Sequence, residues 1–138
     1  MQLAATRIFT DDVDALVQFY ETLTGLTADR IHPMFAEIRT PSGTLAVAST
    51  ATVPLFGDGV ALAHANRSVV LDFLVEDVDA TYMALQGIVE VFVNEPTDMP
   101  WGNRSLLIRD PEDNLVNLFT PISKAAQSRS LAESTPQQ

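Results

Sequence analysis

One short pattern is written twice in this chain. Thr10-Asp11-Asp12-Val13-Asp14-Ala15 is echoed 65 residues later by Val75-Glu76-Asp77-Val78-Asp79-Ala80. Each copy follows a strand-like run, Ala4 to Phe9 and Val69 to Leu74, and each precedes a helical pattern. In the first, Val13, Leu16, Val17, Tyr20 and Leu23 recur at helical spacing, and Gly25 is placed to end the helix. In the second, Val78, Tyr82 and Leu85 do the same before Gly87. The acids ahead of each helix can cap its free N–H groups and suit the positive end of its dipole.

Short β-like runs follow each helix. Phe35 to Thr40 and Thr44 to Ser49 flank Pro41-Ser42-Gly43, while Ser105 to Arg109 and Leu115 to Thr120 flank Asp110-Pro111-Glu112-Asp113-Asn114. Both connections carry turn residues, so both predict hairpins. Ala28 to His32 and Glu90 to Val93 supply one more strand each. Two copies are too few for a solenoid. The expected architecture is α+β: two pseudo-symmetric βαβββ modules, at about 3–50 and 68–121, forming a curled mixed sheet around a cleft. They make one domain at 1–121, with a linker at 51–67 and a flexible tail at 122–138.

Composition narrows the function classes. At 138 residues and 46% hydrophobic, the chain has enough material for one ordinary core. The absence of cysteine removes disulfides, thiolate metal sites and thiol nucleophiles. Eighteen acids against eight basic residues give a charge of −10, which repels phosphate backbones, so nucleic acid is not an expected partner. The longest uncharged stretch, Thr40 to Gly57, is broken by Pro41, Gly43 and Pro54 and predicts no membrane span. The first residues lack the basic and apolar regions of a signal peptide, which points to the cytoplasm.

The segment from the first strand through Asp-Asp-Val-Asp-Ala, Phe19-Tyr20 and Thr24-Gly25-Leu26 resembles the opening of a glyoxalase, bleomycin-resistance and extradiol-dioxygenase (vicinal oxygen chelate) domain. Arg109-Asp110-Pro111-Glu112-Asp113-Asn114-Leu115, followed by Asn117-Leu118-Phe119, resembles that family's closing hairpin, with Asp113 where glycine is usual. The resemblance covers residues 3–121. It implies paired βαβββ modules, often completed by dimerisation, and in the family's enzymes a divalent metal held by His, Gln or Glu on the first and last strand of each module.

Carried onto this chain, those ligand positions fall on Ala5, Val70, Asn117 and the segment Ala46 to Ala48. Methyl and isopropyl groups have no lone pairs, and one neutral amide is a poor anchor for a divalent ion. The expectation is no metal and no cofactor. His32 and His64 are the two histidines and are not near each other in sequence; Ser42 and Ser105 lack a nucleophile motif; no glycine-rich phosphate loop is present.

Strand alternation selects what lines the cleft instead. Leu71, Phe73 and Val75 should face the helix, leaving Val70, Asp72 and Leu74 on the open side. Arg7 and Phe9 take the corresponding places in the first repeat. Asn117 and Phe119 share a face of the last strand. Trp101, between Pro100 and Gly102, either walls a ligand or plugs its loop, and Arg104 follows it. The candidate ligand contacts are therefore Arg7, Phe9, Asp72, Trp101, Arg104, Asn117 and Phe119. The leading expectation is a small-molecule binding protein of the bleomycin-resistance type, a homodimer that sequesters an antibiotic or metabolite. The alternative is an enzyme of the same superfamily, a lyase, isomerase or dioxygenase-like protein, either metal-free and using Arg7, Asp72 or Arg104, or with an unrecognised ligand set.

Overall fold

The computed structural model describes residues 1–134, with side chains through residue 131. The chain divides into two compact units. The first comprises residues 1–66 together with Pro111–Asp113, and the second residues 67–110 and those from 114 onward.

In the first unit, β1 (Thr6–Thr10) leads into α1 (Val13–Thr24), then β2 (Asp29–His32), β3 (Phe35–Arg39), β4 (Thr44–Ser49) and a 3-10 turn at Thr50–Leu55. The sheet order is β1-β4-β3-β2, with β1 and β4 parallel and the rest antiparallel. The α1 start follows from its cap: an Asp12 side-chain oxygen accepts the Ala15 N–H at 3.1 Å. Its end follows from Gly25, which takes a left-handed φ of 72° while its N–H bonds the Glu21 carbonyl. Between them Leu16, Val17 and Tyr20 are fully buried, as are Ile38 and Val47 of the sheet below. Each large side chain buried there contributes about 1.5–3 kcal/mol.

The second unit repeats the plan. β5 (Val70–Leu74) precedes α2 (Val78–Ala84), then β6 (Val91–Phe92), β7 (Thr97–Asp98), β8 (Asn103–Arg109), β9 (Leu115–Pro121) and α3 (Lys124–Ser134). The order is β5-β9-β8-β6, again with the first and last strands parallel; β7 also pairs with β8. The expected βαβββ unit is thus present twice, the second copy with the two-residue β7 added. The copies differ in their helices. α2 has seven residues, and Val78 is the residue it buries. Its start is braced twice, by Asp77 accepting from Asp79 and Ala80 and by the Thr120 hydroxyl accepting the Val78 N–H. The β8–β9 turn is closed by Asp110, whose two carboxylate oxygens accept the backbone and side-chain N–H groups of Asn114, both at 2.9 Å. Asp113 takes a φ of 61° in that turn, a left-handed conformation that suits glycine and that a short polar residue tolerates.

Where the sequence predicts a flexible tail after Pro121, the chain forms α3. The Ser123 hydroxyl caps it by accepting the Ala126 N–H, and Ala126 is buried. Gly102 makes this approach possible: a Cβ on it would sit 2.1 Å from the Ser123 hydroxyl oxygen. Arg129 then donates to the Trp101 carbonyl at 3.0 Å. The last four positions of the expected tail lie outside the described residues.

Candidate functional site

The open face of the second sheet is fixed by alternation along β8 and β9. Leu106, Ile108, Val116 and Leu118 are buried on the α2 side. Ser105, Leu107, Asn117 and Phe119 therefore point the other way. The register sets Asp72 beside Asn117, Asn117 beside Leu107, and Phe119 beside Ser105. Asn117 Nδ2 donates to Asp72 Oδ1 at 3.0 Å. A carboxylate only accepts, so this bond fixes the amide's orientation and leaves Asn117 Oδ1 turned elsewhere. That oxygen and the Ser105 Oγ are buried without a hydrogen-bond partner among the described residues. Leaving such an atom unpaired costs about 1–3 kcal/mol. Both oxygens lie on one face, Asn117 beside Asp72 in register and Ser105 on the next rung of that face, opposite Phe119.

The first sheet carries different chemistry on the corresponding rung. Arg7 pairs in register with Ala46, and Ala46 with Glu37; Phe9 and Phe35 both pair with Ala48. The repeat thus places Ala46 where the second unit has Asn117, and Arg7 where it has Asp72. The Arg7 guanidinium carbon lies 4.8 Å from the Phe35 ring centroid and 5.7 Å from that of Phe56, which follows the 3-10 turn. At an exposed site each cation–π contact is worth about 0.5–1 kcal/mol. Neither Phe35 nor Phe56 stands out in the sequence, because Phe56 reaches Arg7 from a segment without periodicity.

The positions that the family resemblance assigns to metal ligands hold Ala5, Val70, Asn117 and the segment Ala46 to Ala48. The alanines and valines offer no side-chain lone pair, and Asn117 turns its amide nitrogen to Asp72. This donor set does not fit a divalent metal. Among the described residues, no group of three or more His, Cys, Asp or Glu side chains is placed to hold one. His32 Nδ1 accepts the Met34 N–H in a turn, and His64 Nδ1 lies 2.8 Å from Glu112 Oε2 in the first unit.

The other expected contacts lie elsewhere. Arg104 points to the α2 side of β8, where Asp79 and Asp98 hold it at 3.0 and 2.8 Å. Those hydrogen bonds, Asp79 first, raise its pKa above the ordinary guanidinium value. Trp101 is 61% exposed, so it is not a plug beneath its loop. Asp72, Asn117 and Phe119 come together in the second unit, whereas Arg7 and Phe9 belong to the first. Ser105, considered in the sequence only as a nucleophile, is the residue that reading missed. Its position two residues from Leu107 on the partner strand of Asn117 was the available signal. The segment after β4 also forms a hollow of about 440 Å³ lined by Asp11, Thr50, Pro54, Asp58 and Leu62, with the Asp11 carboxylate accepting from the Thr50 hydroxyl.

Comparison with known proteins bears on this arrangement at the level of family. No curated protein sequence matches the chain significantly. Similar folds occur in a glyoxalase/bleomycin resistance protein/dioxygenase from Nocardioides, 25% identical over 90% of this chain and 85% of that one, with a TM-score of 0.71. A family enzyme from Burkholderia phytofirmans is 18% identical over 86% of this chain and 98% of that one, at a TM-score of 0.76. A glyoxalase-related enzyme from Fulvimarina pelagi is 18% identical over 89% and 93%, at 0.73. The sequence profile of the family matches residues 2–118. By that match the chain belongs to the Glyoxalase/Bleomycin resistance protein/Dioxygenase superfamily.

Proposed function

We propose that this chain is a small-molecule binding protein of the bleomycin-resistance type that works without a metal. It captures its ligand, an antibiotic or metabolite, rather than transforming it. The observation that carries this reading is the pair of buried oxygens without hydrogen-bond partners among the described residues, Ser105 Oγ and Asn117 Oδ1, on the sheet face that carries the Asp72 carboxylate. The Asp72 carboxylate and Asn117 Oδ1 only accept, and the Ser105 hydroxyl accepts as well as donates, so the group that suits all three is a donor, an ammonium above all. Phe119, Leu107 and Leu74 share that face and supply apolar contact. The enzyme reading loses one of its groups, since Arg104 is committed to two carboxylates. The proposal includes a homodimer, supported by exposed Leu55, Val60 and Leu62 in the segment after β4. Sedimentation at the 15.0 kDa monomer mass would contradict that part.

Titration with benzylamine, an aromatic ammonium, tests the binding face. The Asn117 side-chain amide resonances should shift saturably, and Asp72→Asn should weaken binding about tenfold. Equal binding by the parent and Asp72→Asn, or no shift at Asn117, would contradict the assignment.

A further inference from the structure

We infer that Arg7, framed by Phe35 and Phe56, is a carboxylate-binding point on the first unit, suited to an aromatic or otherwise flat organic acid. The inference deepens the metal-free binding reading by naming the charge that the first unit accepts. Its basis is how the chain uses its arginines. There are seven, in a molecule where acids outnumber basic residues by eighteen to eight. Arg30 and Arg39 are held by Asp14, Asp29 and Glu37, and Arg104 by Asp79 and Asp98. Arg129 donates to a backbone carbonyl, and Arg67 and Arg109 are also engaged. Arg7 has no hydrogen bond or ion pair among the described residues, and its contacts are two aromatic rings.

Arg7 is exposed, in a chain whose net charge is −10. Aromatic faces attract the cation but do not accept its N–H groups in the plane, so the five-donor fork remains open. Contact with two rings restricts where the guanidinium sits, which lowers the ordering cost of a bidentate carboxylate. The neighbouring acid cannot take its place. Glu37 lies on the same rung, separated from Arg7 by the Ala46 strand, and already accepts from Arg39 Nε at 3.0 Å. Ala46 and Ala48, directly beside Arg7 and Phe9, keep that rung low and present no competing side-chain donor or acceptor. A carboxylate on the fork, with its flat body against Phe35 or Phe56, satisfies both features.

Sodium benzoate is the probe, followed by NMR of the arginine Nε–H resonances in the parent protein, Arg7→Gln, Arg7→Lys and Phe56→Ala, with benzylamine titrated in parallel. Benzoate should shift the Arg7 Nε–H signal saturably. Arg7→Gln should weaken benzoate binding about tenfold or more. Arg7→Lys, which keeps the charge but loses the fork, should also weaken it, and Phe56→Ala about threefold. Benzylamine binding should be the same in all four proteins. Benzoate binding that survives Arg7→Gln, or that leaves the Arg7 signal unmoved, overturns the inference. If benzylamine binds and benzoate does not, the inference fails alone; if neither binds, it fails together with the binding reading.

Discussion

The two units share a strand order and differ in what they put on it. In both, a strand enters, a capped helix crosses, and a final strand returns parallel to the first. The first unit spends twelve helical residues burying Leu16, Val17 and Tyr20, while the second uses seven and buries Val78. Their open faces diverge further. One rung carries Arg7 beside Ala46, the equivalent rung Asp72 beside Asn117. A duplicated backbone therefore does not duplicate chemistry. Topology is set by apolar positions under each helix, whereas the outward positions of the same strands are free to change sign.

The largest expected difference between the units is in stability. Tyr20→Ala should cost about 3–5 kcal/mol, because it empties a fully buried site whose ring also packs edge-on against Phe19 at 5.0 Å. Val78→Ala in the second helix should cost about 2 kcal/mol, since only two methyl groups are lost. Chemical denaturation of both variants checks the order; equal losses would mean that the helices contribute alike. The caps give a smaller contrast. Asp12→Ala and Asp77→Ala should each cost about 0.5–2 kcal/mol, with Asp77 at the upper end because it holds two N–H groups of a short helix. The smallest effect has the opposite sign. Ser105→Ala removes a buried hydroxyl that has no hydrogen-bond partner among the described residues, so the free protein should gain up to about 1 kcal/mol while benzylamine binding weakens. A variant that loses stability would show that the hydroxyl is already satisfied.

The parts legible in the sequence are those where a period and a cap coincide. Val13 to Leu23 announced α1, and Gly25 its end. The paired hairpins followed from Pro41-Ser42-Gly43 and the Asp110 to Asn114 turn. α3 was hidden because it is nearly all small and polar; Ala126 and the Ser123 cap, with Gly102 across from them, are tertiary features. Arg104 shows a second limit. Its charge was visible, but the side of β8 it occupies depends on where Ser105 and Leu106 fall in register, and that placed it against Asp79 rather than on the open face. Phe56 and the two orphaned oxygens were invisible for the same reason: contacts between distant segments leave no local spacing.

Metal content tests the central claim most directly. The purified chain, analysed for bound elements after exposure to manganese, iron, nickel and zinc salts, should carry no stoichiometric divalent ion and melt at an unchanged temperature, since Ala5, Val70, Asn117 and the segment Ala46 to Ala48 present no donor set for one. One tightly bound divalent ion per chain, with a rise in melting temperature that EDTA reverses, would contradict it.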